Sequence, residues 1–157
     1  MKLSNLIKNV QVPTDNYILI EYDLYFNEDL GKFNKFSIDD QKDIKKLMLV
    51  INELKRLDET MDIYVLAYSY ETIDYKGNNS IYADCLWLNT TTSVDVIDKM
   101  FEGYKSIQPS SISDLKEMEE YNQEHFYLFN STGNVINLKS IQSSKHEFDN
   151  VKILYWD

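Results

Sequence analysis

The sequence predicts an α+β fold in which a mostly antiparallel sheet carries two to three helices on one face. Segments with a strand-like pattern, in which apolar and polar residues alternate or β-branched and aromatic residues predominate, appear along the chain as a single strand, then a pair, then a group of three. Strands that follow one another through short turns pair antiparallel, and helices then cover one face of the sheet. No linker, repeat or low-complexity tract divides the 157 residues, so we expect a single α+β domain over 1–157.

The first predicted strand runs from Tyr17 to Phe26 and has two different faces. We expect one face to be buried, because its side chains are all apolar or aromatic: Ile18, Ile20, Tyr22, Leu24 and Phe26. The other face mixes aromatic residues with carboxylates: Tyr17, Leu19, Glu21, Asp23 and Tyr25. A loop through Gly31 follows the strand.

A long helix is predicted after Ser37, which can cap the free N–H groups of the first turn. Asp39, Asp40 and Asp43 suit the positive end of its dipole, and Lys55 with Arg56 suits the negative end. Apolar residues recur at helical spacing between them and should face the core: Ile44, Leu47, Met48, Ile51 and Leu54.

A β-hairpin and a second helix follow. Residues 63–70 and 80–89 are rich in β-branched and aromatic residues, and the segment 76–78 supplies a turn. Thr92 or Ser93 then caps a helix. Its apolar stripe comprises Val94, Ile97, Met100, Phe101 and Tyr104.

The last third of the chain is predicted to hold a short helix and three strands. The helix starts at Pro109 and turns Ile112, Leu115 and Met118 inward, and the strands cover 125–130, 134–138 and 151–156. From all of these elements we expect one common core, which includes Leu47, Met48, Ile51, Ile18, Ile20, Leu24, Leu86, Leu88 and Ile97.

Composition narrows the classes of function. The chain has 26 acidic and 16 basic residues, a formal charge of −10, two histidines, one cysteine and four glycines. Such a chain repels nucleic acid and anionic membranes and attracts basic partners. It also lacks phosphate-binding glycine patterns and metal-ligand spacings, so we expect no cofactor and no metal site.

Four residues carry groups that could do chemistry, and each has a plainer interpretation. His125 and His146 lie next to carboxylates, yet no nucleophile motif accompanies them, which favours surface histidines. Cys85 has apolar strand neighbours and should be a buried, unreactive thiol. Asp84 interrupts the same strand, so it is either at a solvated edge or paired, or it belongs to a site.

Two acidic surfaces are candidates for binding a partner. On the predicted third helix, Asp114, Glu117, Glu120 and Glu124 fall on one face, where like charges weaken a helix rather than support it. This row of carboxylates is either a solvated face of an acidic protein or a binding surface for a basic partner. The second candidate is the mixed face of the first strand, with Glu21, Asp23 and Tyr25.

The function that these features favour is a non-catalytic acidic binding protein. We expect an immunity or antitoxin type of inhibitor that neutralises a basic protein such as a nuclease toxin, whose active site is positively charged. The alternatives are a small-ligand-binding protein or enzyme with an acidic surface, and an adaptor subunit of a larger assembly. Cys85 has no cysteine to pair with, and no apolar run could form a signal peptide or span a membrane, so we expect a cytoplasmic protein.

Overall fold

A computed structural model describes residues 17–26, 30–31, 34–68, 72–73, 79–114, 126–129, 135–137 and 150–157. For residues 17, 18, 68, 72, 73, 79, 80, 126–129 and 135–137 it describes the backbone alone. Within these residues no helix is long and apolar enough to cross a membrane.

The described residues form nine strands, three α-helices and one 3-10 helix. The strands are β1 Tyr17–Glu21, β2 Asn34–Phe36, β3 Asp62–Tyr68, β4 Thr72–Ile73, β5 Asn79–Asn89, β6 Ser111–Asp114, β7 Phe126–Phe129, β8 Val135–Asn137 and β9 Val151–Tyr155. The helices are α1 Tyr22–Tyr25, α2 Gln41–Leu57 and α3 Val94–Phe101, and the 3-10 helix spans Lys105–Ile107.

All nine strands belong to one sheet. Its order is β6-β9-β5-β3-β1-β7-β8, with β2 and β4 also paired to β5. Six of the strand pairings are antiparallel, while β1 with β7 and β2 with β5 are parallel. The predicted α+β class with a mostly antiparallel sheet is therefore confirmed.

The core lies between the sheet and its helices. Register aligns apolar residues of five adjacent strands on one face of the sheet: Ile112, Leu154, Leu86, Val65 and Ile20. Helix α2 packs into the same cluster with Ile44, Leu47, Val50, Ile51 and Leu54. The opposite face also buries apolar side chains, among them Leu19, Leu66, Trp87 and Ile153. Both faces of the central strands are therefore buried.

The predicted core is confirmed for seven of its nine residues. Leu47, Ile51, Ile20, Leu24, Leu86, Leu88 and Ile97 are all buried in one cluster. Met48 is 38% exposed, because its place 100° around the helix from Leu47 takes it to the margin of the buried face. The side chain of Ile18 lies outside the described residues.

Helix α2 begins later than predicted. Asp40 is the capping residue, and its side chain accepts hydrogen bonds from the backbone N–H groups of Lys42 and Asp43. Ser37 does not cap, because its backbone N–H donates to the carbonyl of Ala83 and so continues the β2–β5 pairing. In α3, Ser93 rather than Thr92 caps the helix by accepting from the N–H of Val96.

The first predicted strand is too long. The sheet pairing of β1 ends at Glu21, and the helical turn α1 follows, closed by the N–H of Phe26 on the carbonyl of Tyr22. Burial no longer alternates there, since Tyr22, Leu24, Tyr25 and Phe26 are all buried. The aromatic rings explain the turn, because Tyr22 stacks on Phe26 and Phe26 packs edge-on against Phe36.

The predicted helix from Pro109 is wrong over its described part. Residues 111–114 form β6, which pairs antiparallel with β9, and the N–H of Ser110 donates to the carbonyl of Tyr155. Ile112 still faces inward, but it does so opposite Leu154 on the sheet. Residues 115–125 lie outside the described part of the chain, and with them Leu115 and Met118. The predicted tail strands are confirmed as β7, β8 and β9.

Candidate functional site

An acidic groove opens where β1 ends and β3 begins. Antiparallel pairing sets Glu21, the last residue of β1, opposite Tyr64 near the start of β3. The turn α1 then adds Tyr22 and Asp23, and the last turn of α2 adds Lys55. The groove has a volume of about 220 Å³, and the described residues that line it are Glu21, Tyr22, Asp23, Lys55, Met61, Asp62, Ile63 and Tyr64.

The charge of the acidic groove is negative. Among the described residues, its lining holds three carboxylates, Glu21, Asp23 and Asp62, and one ammonium, that of Lys55, which gives these residues a formal charge of −2. The Asp23 side chain is 86% exposed, and its Oδ1 lies 3.9 Å from Lys55 Nζ. Such an exposed pair contributes only about 0–1 kcal/mol, so the carboxylate remains available to a cation from outside.

Tyr22 lines the acidic groove and has an unusual hydroxyl. The residue is only 5% exposed, and its hydroxyl has no hydrogen-bond partner among the described residues. Burial raises the pKa of this hydroxyl, and the negative charge of Asp23 raises the pKa further. Lys55 Nζ lies 5.2 Å from the centre of the Tyr22 ring, within the range of a cation–π contact. The Tyr22 ring therefore lies beneath the ammonium of Lys55, whereas its hydroxyl is shielded from solvent.

A second, apolar groove lies along the other end of α2. Its volume is about 410 Å³, and its lining is Leu30, Gly31, Lys35, Phe36, Ile38, Asp39, Gln41, Ile44 and Tyr82. The backbone at Gly31 has φ +91°, a left-handed conformation that glycine adopts without strain. Tyr82, which is 38% exposed, is one of the residues that line this groove.

Asp84 and Cys85 lie at a β-bulge, which explains why a carboxylate interrupts the strand. The register of β5 with β3 shifts between Leu66 and Ala67, so Ala83 and Leu86 both face the core although two residues separate them. Strict alternation along β5 would place Asp84 on the same face as Leu86, and the bulge breaks that alternation. Asp84 is half-buried, and its Oδ1 accepts a hydrogen bond from the Cys85 thiol at 3.3 Å.

The thiol of Cys85 is buried, as predicted. Burial raises its pKa well above the ordinary range, and the neighbouring carboxylate of Asp84 raises it further. The pKa of Asp84 is itself raised, mainly by burial, and also by the charge of Asp157. Neither residue lines the acidic groove or the apolar groove. Among the described residues, no three His, Cys, Asp or Glu side chains are grouped so that they could hold a metal ion.

The structure brings together only some of the predicted partner-binding residues. Glu21 and Asp23 line the acidic groove. Tyr25 is wholly buried and its hydroxyl donates to the carbonyl of Lys35, so its assignment to a partner-binding surface is corrected: α1 turns the ring inward. Asp114 is on β6, opposite Lys152 and four strands away from β1. The remaining predicted residues, Glu117, Glu120 and Glu124, lie outside the described part of the chain, as do His125 and His146.

Sequence reasoning missed Asp62, Lys55 and Tyr22 as members of the site. Asp62 and Lys55 come from different elements than Glu21, and only the β1–β3 register and the packing of α2 bring them close. Together these residues offer carboxylates and an aromatic ring, which are groups that bind an organic cation. Comparison with family models, with curated proteins and with solved structures finds no match for this chain.

Proposed function

We propose that this chain is a non-catalytic acidic binding protein that neutralises a basic protein, in the manner of an immunity or antitoxin protein directed against a nuclease toxin. The observation that carries the proposal is the acidic groove, whose described lining includes Glu21, Asp23 and Asp62 and one ammonium group, that of Lys55. A basic side chain of a partner would find there an excess of carboxylates.

The charge of the whole chain supports the same proposal. A formal charge of −10 accelerates the approach of a cationic partner, and such steering weakens as salt rises. A nuclease is a suitable partner, because it binds a polyanion and so carries basic residues in its active site. We place this encounter in the cytoplasm, where the thiol of the lone Cys85 would stay reduced.

The apolar groove supports an alternative, a protein that binds a small ligand. Its volume of about 410 Å³ lies within the roughly 300–1,000 Å³ typical of small-molecule sites, whereas the acidic groove is smaller than that range. Lys35, Asp39 and Gln41 could orient such a ligand at the rim. A protein of this kind would bind small apolar molecules in the absence of any protein partner.

Affinity capture at low salt tests the leading proposal. The immobilised chain should retain a basic protein from a lysate of its own organism, and salt should elute that protein. The purified pair is then measured by calorimetry with two variants of equal charge. Asp23→Asn with Asp62→Asn changes the acidic groove, whereas Asp98→Asn with Glu102→Gln changes exposed positions of α3 and its end.

The groove variant should bind the partner at least about tenfold more weakly, since two carboxylates that contact a cation are lost. The affinity of the α3 variant for the partner should fall by no more than about threefold, because only the net charge of the chain has changed. If the partner is a nuclease, an equimolar amount of the chain should also inhibit its cleavage of nucleic acid. A partner that is acidic, or binding that does not change between 50 and 300 mM salt, would contradict the proposal.

A further inference from the structure

The exposed residues of helices α2 and α3, with Glu102 at the end of α3, form one surface, which we call the helical face. The two helices pack beside each other and bury their inner sides in the same core cluster. Among the described residues five large apolar side chains are exposed, and four of them lie on these two helices: Met48, Leu49, Leu57 and Val96. Leu49 is 56% exposed and lies about 160° around α2 from the centre of its buried stripe, so it contributes little to the core.

The two sides of the helical face carry opposite charges. On α2, the exposed cations that share one side of the helix with Leu49 are Lys42, Lys45 and Arg56. On the α3 side, beside Val96 and Lys99, the exposed carboxylates are Asp95, Asp98 and Glu102. Of these six charged groups only Arg56 forms an ion pair within the described part of the chain, and its partner is Glu53. The face therefore has a basic side and an acidic side whose charges are mostly uncompensated by ion pairs between described residues.

The stability of α2 does not explain the positions of its exposed cations. Lys42 lies in the first turn, at the positive end of the helix dipole, where a cation is unfavourable. Lys45 follows at a spacing of three residues, where like charges repel. Both cations weaken the helix that carries them, whereas carboxylates from another molecule would stabilise them.

We propose that the helical face binds a second copy of this chain, in a dimer in which α2 of each copy contacts α3 of the other. A two-fold axis that runs between the two helices produces both contacts at once, and an interface of this symmetry must be self-complementary. The helical face meets this condition, because its basic side would face the acidic side of the other copy. The exposed apolar side chains would then lie in the middle of the interface. The proposal does not depend on the proposed function.

The dimer is expected to be weak. The exposed sides of a helix of 17 residues and a helix of 8 residues are smaller than the roughly 800 Å² per partner that a stable interface buries. Each copy also carries a formal charge of −10, although physiological salt screens this repulsion beyond about 8 Å. We therefore expect a dissociation constant on the order of 100 µM.

Sedimentation equilibrium of the full chain from about 10 to 500 µM tests the proposal, and the average mass should rise toward that of two chains. Lys42→Glu with Lys45→Glu makes both contacts acidic, and Asp98→Lys with Glu102→Lys makes both contacts basic. Each of these variants alone should dimerise at least about tenfold more weakly than the wild type. An equimolar mixture of the two should recover the association, because a mixed dimer has one native contact and one contact with both charges reversed.

Asp23→Lys with Asp62→Lys is the matched control, since it changes the net charge as much as the α3 variant does, at exposed positions outside the helical face. It should dimerise within about threefold of the wild type, and its mixture with the α2 variant should show no recovery. Leu49→Ser leaves the charge unchanged and should weaken the dimer at least about threefold while the melting temperature of the monomer is retained.

Three results would each overturn the proposal. The first is a wild-type chain that stays monomeric up to about 500 µM. The second is a mixture of the α2 and α3 variants that associates no better than either variant alone. The third is equal recovery in the mixture that contains the Asp23 and Asp62 control, which would show that net charge and not the helical face governs association.

Discussion

Truncation of Leu47 to alanine should separate the buried from the exposed side of helix α2. Leu47 is fully buried in the core cluster, whereas Met48, the next residue, is 38% exposed. Leu47→Ala removes three carbons, worth roughly 0.8 kcal/mol each, and a cavity adds to that loss. We therefore expect the free energy of unfolding to fall by about 3 kcal/mol.

Met48→Ala is the matched control at the neighbouring position. Its side chain is partly in water and alanine has the higher helix propensity, so we expect a loss of less than about 1 kcal/mol. Urea titration can follow both variants through tryptophan fluorescence, because Trp87 and Trp156 are buried and should change environment on unfolding. A loss below about 0.5 kcal/mol for Leu47→Ala, or equal losses for both variants, would refute the packing of α2 described above.

Two further predictions concern carboxylates whose pKa values shift in opposite directions. Hydrogen bonds from Thr60 and Thr90 lower the pKa of Asp58. Its ionised carboxylate therefore stabilises the fold above pH 4, and this stabilisation is lost as the pH falls. Asp58→Asn should lower the free energy of unfolding at pH 7 by about 0.5–1.5 kcal/mol and flatten its acid dependence, measured by urea titration from pH 7 to pH 3. Burial raises the pKa of Asp84, so its ionisation weakens the fold as the pH rises. Asp84→Asn should therefore increase stability at pH 7 and converge with the wild type at pH 3, whereas a loss at pH 7 would contradict this interpretation.

Helix α2 and the central hairpin could be predicted because their signals are local. In α2, five buried residues recur at helical spacing and cations occupy the last turn, so pattern and structure agree. In β5, the β-branched and aromatic run is long enough to identify a strand. The predicted start of α2 was too early because the backbone of Ser37 pairs with Ala83. Capping preferences describe neighbouring residues only, so they cannot predict this contact between distant residues.

The segments that sequence reasoning misassigned are short. An inward-facing Ile112 is consistent with a helix and equally with a strand. Residues 111–114 form a strand because they pair with β9. The alternation over residues 17–26 is typical of one long strand, but aromatic packing onto Phe36 turns the chain after Glu21. In both segments a contact far away in sequence overrides a local pattern that only a few residues support.

The candidate site could be predicted only in part for the same reason. Glu21 and Asp23 attract attention because they stand in a mostly apolar segment, whereas Asp62 begins a strand and Lys55 suits a helix end, which are ordinary places for such residues. Their common groove depends on the pairing of Glu21 with Tyr64. The burial of Tyr25 depends on α1, which the alternating pattern does not contain.

The distribution of charge along the chain suggests that net charge and the acidic groove would affect different steps of binding. Helix α2 holds five of the 16 basic residues and two of the 26 acidic ones, so it carries +3 and the rest of the chain −13. The groove adjoins the basic end of this helix, and net charge alone would therefore not guide a partner to it. Long-range attraction governs the association rate, whereas close contacts govern dissociation. Changes at Asp23 and Asp62 should consequently accelerate dissociation, while equal changes at Asp98 and Glu102 should slow association, and stopped-flow kinetics at two salt concentrations can distinguish the two effects.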